Sequence, residues 1–351
     1  MTVIPLHVPH ARVPLSARTG PLIRTMSGAR RFGDDVFWLK ENAELLNILD
    51  CAGSIPDPAD LEVYGAVYEG LPERLSFFPQ YYRFLLSMCL DIEDLGFGPG
   101  HGTSLAEWIA RQGLHEAELS DLQRAEAQRL LARRGVEVGD AGLDDRLRAF
   151  AARSATFALP NKKAAYELTH IIFYLSAYGR RAVTFEDEIL VSLEYAGLLA
   201  FLDQNADLLA EICIALRYAG AHPSPIWEAF VLQGLSAFDI QVGPEVDVVD
   251  DYHEYLVSHW LASMAAPETR GAPLPEGRCR FVAARRAPGP LRGLSVTLMQ
   301  MQSARSADWD RMRPLLMRQV DGAEAEIVEA AEASSDRFGA FFEGFARAAR
   351  V

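Results

Sequence analysis

The chain has 351 residues, of which 50% are hydrophobic, 23% charged and 10% aromatic, enough apolar material for one large core or two ordinary ones. Its apolar runs, Ile171 to Leu175 among them, are far too short to span a bilayer. A net charge of -14 argues against nucleic acid as the main partner, because neutralising phosphates takes clustered Lys and Arg.

The first acidic residue is Asp34, while Arg12, Arg18, Arg24, Arg30 and Arg31 all precede it, among Pro5, Pro9, Pro14 and Pro21. No apolar period runs through residues 1–31, which predicts a basic, disordered tail without the apolar region of a secretory signal; the alternative is a contact with an acidic partner or with the chain's own acidic body. From there the period is helical. Phe37, Trp38, Leu45, Leu46 and Leu49 share one face, with Asp34 or Asp35 as N-cap and Gly53 as stop. A helix is expected over about 80–95, a loop over Phe97–Gly102, and helices over 105–112, 120–134 and 144–158. Asn161 caps a helix to Tyr178; helices over 185–202 and 205–218 follow, the last stopped by Gly220. Further helices start at Pro225 and at Asp250 or Asp251.

Pro267, Pro273, Pro275, Gly271 and Gly277 mark a linker. Beyond it, Cys279-Arg-Phe-Val-Ala and Leu294-Ser-Val-Thr-Leu predict a small hairpin, followed by helical stretches over 309–320 and 323–349. The expected division is a tail at 1–31, a helical domain at 32–266 and an appendage at 267–351. Cys51, Cys89, Cys213 and Cys279 form no CxxC pair and are expected to be free thiols in a reducing cytoplasm.

Part of the chain repeats itself. Leu39–Leu46 returns as Leu202–Leu209, Gly53 and Pro56-Asp-Pro58 return as Gly220 and Pro223-Ser-Pro225, and Tyr81–Leu90 returns as Tyr252–Leu261. The order is kept and the spacing grows by about one helical turn at each step. This predicts an all-α protein of duplicated antiparallel helix pairs, arranged as an α/α solenoid or toroid-like bundle. Asn42 and Asn205 fall at the same place in the two copies, and His259 pairs with Met88, which marks it as a core histidine.

The sharpest chemical candidate is Tyr166-Glu-Leu-Thr-His-Ile-Ile-Phe-Tyr-Leu175. Glu167 and His170 lie three residues apart on one side of a helix, with Tyr174 one turn on. Asp250-Asp-Tyr-His253 repeats the carboxylate-x-x-His spacing. A carboxylate three residues before a histidine matches half of a di-iron carboxylate motif, so Glu167, His170, Asp250 and His253 are candidate ligands for a divalent metal. A metal-free acid/base pair is preferred over that metal site, and a structural hydrogen-bonded cluster over both. Lys162 and Lys163, at a helix start, could hold an anionic substrate, with Asp251 and Glu254 completing a binding surface. The glycines of Gly98-Pro-Gly100-His-Gly102 follow a helix rather than a strand, so no phosphate-binding loop is read there.

Through Arg31–Leu46, Phe78–Leu86, Leu159–His170 and Tyr252–Leu256 the chain resembles an uncharacterised bacterial family of all-helical proteins, a domain of unknown function, over about residues 30–265. The resemblance implies a bacterial cytoplasmic protein and transfers no catalytic residue. Two functions follow. One is a small-molecule binder or enzyme with a cleft lined by Glu167, His170, Tyr174, Asp251 and His253. The other is a non-catalytic interaction protein that engages protein partners.

Overall fold

Helix ends follow their capping chemistry. Asp35 accepts from the Phe37 N–H, Asn161 from the Ala164 N–H and Asn205 from the Leu208 N–H, each opening a helix: Val36–Cys51, Lys162–Leu175 and Ala206–Tyr218. Each cap satisfies one amide that a helix start leaves without a partner. Gly53 and Gly220, at φ +64° and +77°, turn the chain out of two of these helices, a left-handed conformation in which a Cβ is strained. The computed structural model describes residues 13–348 except 15, 32, 34, 99, 269, 272 and 276. Helices dominate, joined by two short antiparallel strand pairs: Val13–Pro14 with Arg270–Gly271, and Asp239–Val242 with Cys279–Val282. Among the described residues no helix is long and apolar enough to cross a membrane.

The compact units do not follow the expected division at 31 and 266. The first comprises residues 1–108 and 235–283; the second comprises 109–234 and 284–351. In the first, helix Val36–Cys51 packs against Tyr82–Asp94 and against Tyr252–Ala265. The basic segment is not a free tail where it is described: Ser16–Arg24 is α-helical and Thr25–Ala29 forms a π-helical turn. Residues 1–12 lie outside the described residues. The segment's arginines contact the chain's own acids and rings: Arg24 pairs with Asp60, and Arg31 with Asp35 and Glu41. The Arg18 guanidinium lies 5.4 Å from the centre of the Tyr255 ring. Arg30 is fully buried and donates to Glu41 at 3.1 Å and, through two nitrogens, to Asp250 at 2.8 and 3.0 Å.

In the second unit, helices Lys162–Leu175 and Asp187–Leu202 both pack on Ala206–Tyr218, and Lys162–Leu175 also packs on Asp121–Ala132. Their interfaces are apolar: Leu168, Ile171, Ile172, Leu193, Leu198, Leu209, Ile212 and Ile214 are all buried. Gly197 lets Trp227 approach so closely that an added Cβ would meet the indole at 2.5 Å.

The predicted hairpin is corrected. Cys279–Val282 is a strand, but its partner is Asp239–Val242, and Leu291–Gln300 is a helix. Buried Leu291, Leu294 and Leu298 follow the helical spacing, which the alternating pentad Leu294–Leu298 concealed. The repeat keeps its register in the third match, where Leu85, Leu86, Met88 and Leu90 and their counterparts Leu256, Val257, His259 and Leu261 are all buried. It loses register in the first. Asn42 sits mid-helix and is buried, donating to the Trp38 and Met26 carbonyls, whereas Asn205 is an N-cap. The second copy is also divided, residues 202–220 belonging to one unit and 252–261 to the other.

A buried guanidinium held by two carboxylates becomes costly when one side of the cluster is removed. We expect Arg30→Met to lose about 3–5 kcal/mol in urea unfolding, because Glu41 and Asp250 would be left buried and facing each other. A loss below about 1 kcal/mol would show the cluster to be dispensable.

Candidate functional site

Helix Lys162–Leu175 carries the residues singled out by sequence. The acids of the neighbouring helix Ala206–Tyr218 receive its polar side chains. Tyr166 donates to Asp207 at 2.5 Å, and Thr169 donates to Glu211 at 2.6 Å. Burial and the Asp207 charge together hold the Tyr166 hydroxyl well above its ordinary pKa. Glu211 is a buried carboxylate, and its Oε2 also lies 3.7 Å from His170 Nδ1.

The His170 ring is fixed by its own helix. Nδ1 lies 2.8 Å from the Tyr166 carbonyl oxygen. A carbonyl can only accept, so Nδ1 carries the proton and neutral His170 keeps its lone pair on Nε2. The side chain is 34% exposed, leaving the ring open to a ligand or to water. Aromatic rings flank it, Phe173 at 5.7 Å and Tyr174 edge-on at 5.8 Å between centroids.

Glu167 is not the carboxylate found beside this ring. It is 39% exposed and pairs with Lys163 at 4.0 Å, one turn away, a solvated pair of small energy. Lys162 pairs with Asp203 at 2.7 Å. Both line a cavity of about 350 Å³ with Asn161, Leu199 and Leu208. Tyr174 lines a second cavity of about 320 Å³ with Arg129 and Arg181. Sequence reading missed Glu211. Its signal was there: it is the only charged residue in the apolar run Leu208–Leu216.

The second carboxylate-x-x-His element belongs to the other unit and serves the backbone. Asp250 binds Arg30 and accepts from the Phe281 and Tyr252 N–H groups at 2.7 and 3.2 Å. Asp251 accepts from the Ala283 N–H at 2.9 Å. His253 packs edge-on against Tyr252 at 6.4 Å, and Glu254 is half-buried in the helix's first turn. These contacts occupy Asp250 in a structural role. Among the described residues no group of three or more His, Cys, Asp or Glu side chains is arranged to hold a metal ion.

The glycine loop serves the fold too. The Tyr68 hydroxyl accepts from the Gly100 and His101 N–H groups and donates to Glu93, which also accepts from the Gly102 N–H. The amides that would cradle a phosphate are therefore engaged. Gly98 sits at φ +102° with Tyr68 only 2.6 Å from where a Cβ would be, so this loop requires glycine for close packing.

The whole length of the chain, rather than residues 30–265 alone, carries the family signature. The family described as a domain of unknown function (DUF6902) matches residues 1–348. The chain belongs to that family. The segment beyond residue 270 is thus part of the family's own chain and not an addition to it. No curated protein and no solved structure matches the chain.

His259 shows how a histidine looks when it belongs to the core. It is buried, its Nε2 has no hydrogen-bond partner among the described residues, and burial together with the nearby Arg18 charge lowers its pKa from 6.5 to about 3. Between those values the unfolded chain holds one more proton than the folded one. Stability therefore falls as the pH drops through this window, by up to about 1.4 kcal/mol per pH unit. We expect His259→Met to flatten the acid arm of the stability profile between pH 6 and 4. An unchanged slope would assign the acid sensitivity elsewhere.

Proposed function

We propose that the second unit is a small-molecule-binding module in which His170 exchanges a proton with the ligand. The observation that carries this reading is the setting of the imidazole. Its Nδ1 is pinned to the Tyr166 carbonyl, the buried Glu211 carboxylate lies behind it, and its other edge is open. The Nδ1–H bond to the Tyr166 carbonyl fixes the tautomer and presents Nε2 as the base. Glu211, rather than Glu167, is the carboxylate beside this ring, 3.7 Å from Nδ1. Two cavities are lined from the same helix, at Lys162 and at Tyr174, and both fall in the size range of small-ligand sites. The Lys162 ammonium, already paired with Asp203, would meet the polar end of a ligand in the first cavity.

The alternative, a protein-interaction role, has one observation in its favour, and it lies in the first unit. Phe77, Phe78, Tyr81 and Phe84 are all exposed, Phe77 to 75%, with the Phe77 and Phe78 rings 4.7 Å apart and Phe78 and Tyr81 6.4 Å apart. Clustered exposed aromatics are characteristic of docking surfaces.

The test is a thermal-shift survey of small carboxylates, phosphates, amines and alcohols on wild type and His170→Ala. At least one class is expected to raise the wild-type midpoint by a few degrees. Any ligand that is also turned over should react about 10²–10⁴-fold more slowly with His170→Ala. A survey that leaves the wild-type midpoint unmoved, or a ligand bound and converted equally well by both proteins, would overturn the reading.

A further inference from the structure

Arg129 is a buried cation with no carboxylate partner among the described residues. It sits in helix Asp121–Ala132 with only 9% of its surface exposed, and its Nε has no hydrogen-bond partner among the described residues. What the protein offers it instead is aromatic: the guanidinium carbon lies 5.6 Å from the centre of the Tyr174 ring and 4.7 Å from that of Tyr178. Cation–π contacts of this kind offset only part of the cost of burying an unpaired charge. Arg30 shows the contrast within the same chain, since its charge is met by two carboxylates.

Arg129 lines the cavity of about 320 Å³ introduced above, and Arg133, Arg180 and Arg181 line it as well. Four arginines there face two carboxylates, Glu137 and Asp144, in a protein whose net charge is -14. A cationic cavity in an acidic chain is not the result of average composition. The turn that shapes its wall is strained. Ala177, Tyr178 and Gly179 follow one another in the left-handed region, at φ +48°, +55° and +79°. Residues with a Cβ are disfavoured in that conformation. This turn brings Tyr178 over Arg129 and returns the chain so that Arg181 Nε donates to the Leu175 carbonyl at 2.7 Å.

We infer that this cavity binds a small anion through a carboxylate or phosphate group, with Arg129 as the residue that holds it. The guanidinium fork matches both oxyanions, whose paired oxygens accept two parallel N–H bonds. The tyrosine faces keep Arg129 in place while the cavity is empty, and Arg180, exposed at the rim, meets the anion from the solvent side. The site stands whether or not His170 exchanges protons, because none of its contacts passes through the imidazole.

The experiment titrates the full-length protein with inorganic phosphate and, separately, with succinate, the ionic strength held constant with KCl, and follows the thermal midpoint. One or both probes should raise the wild-type midpoint in a saturable way, and the probe that does so separates phosphate from carboxylate ligands. Arg129→Gln should abolish the response, and Arg180→Gln, on an exposed side chain that leaves the fold intact, should weaken it about tenfold, the value of one charge-assisted hydrogen bond. Without probe, Arg129→Gln should be no less stable than wild type, since it removes an unpaired buried charge. His170→Ala should keep the full response, so failure of the proton-transfer reading leaves this site untouched. No saturable shift with either probe in wild type, or a shift of equal size in both arginine variants, would overturn the inference.

Discussion

A buried guanidinium organises the first unit. Arg30 lies inside a shell built from three separate stretches of chain: Glu41 from helix Val36–Cys51, Asp250 from just ahead of helix Tyr252–Ala265, and the carbonyls of Val248 and Cys279 beside the strand pair. Burial opposes the charge, but the hydrogen bonds and charges of Asp250 and Glu41 outweigh it, and the guanidinium is held above its ordinary pKa. Asp250 is shared, since it also accepts from the Phe281 and Tyr252 amides. The ion pair therefore fixes where the last helix of the unit starts and where the strand Cys279–Val282 lies against it. Such a network adds little net stability compared with an apolar core of equal volume, but it penalises any arrangement that separates its members.

The second unit handles its buried charges differently. Glu211 accepts from the Thr169 hydroxyl and has an imidazole within 3.7 Å, so its charge is compensated by groups that can give up or take a proton. Arg129 is met by the faces of two tyrosines. Among the described residues Arg129 has no carboxylate partner of the kind that holds Arg30. A charge fully paired within the protein has no free capacity for a ligand, whereas one that is left incompletely compensated gains from binding. The difference in how the two units treat burial is what directs the functional reading to His170 and Arg129 and away from Asp250.

Helices were legible in the sequence because their caps are local. Asp35, Ser120, Asn161 and Asn205 each sit where an N-cap is needed, and Gly53 and Gly220 where a helix must stop. The strand Asp239–Val242 was not legible, since its four residues carry little alternation of burial and its partner is tens of residues away. The basic segment was misread for a related reason. Its arginines read as a tail until acids of the folded body are brought to them, one of which, Asp250, stands 220 residues from Arg30. At the candidate site the histidine was legible and its carboxylate was not. Spacing along one helix pointed to Glu167, but a side chain three residues away on the same helix competes with acids on every helix packed alongside. Glu211 came from the neighbouring helix, and only its isolation in an apolar run hinted at it.

The internal repeat has the same lesson in another form. Equivalent sequences gave equivalent burial where the residues are apolar, as in Leu85–Leu90 and Leu256–Leu261. They diverged where a polar residue could choose between roles. Asn42 uses its amide to bind the carbonyls of Trp38 and Met26 and to accept from Tyr64 inside one helix, while Asn205 opens another. An asparagine amide can donate through its nitrogen or accept through its oxygen, so its recurrence specifies a hydrogen bond and leaves the backbone around it undetermined. Apolar periodicity thus carries burial from Leu85–Leu90 to Leu256–Leu261, and polar identity alone does not carry function. For that reason the repeat cannot transfer a role from His253 to His170, and the chemistry of each must be read from its own surroundings.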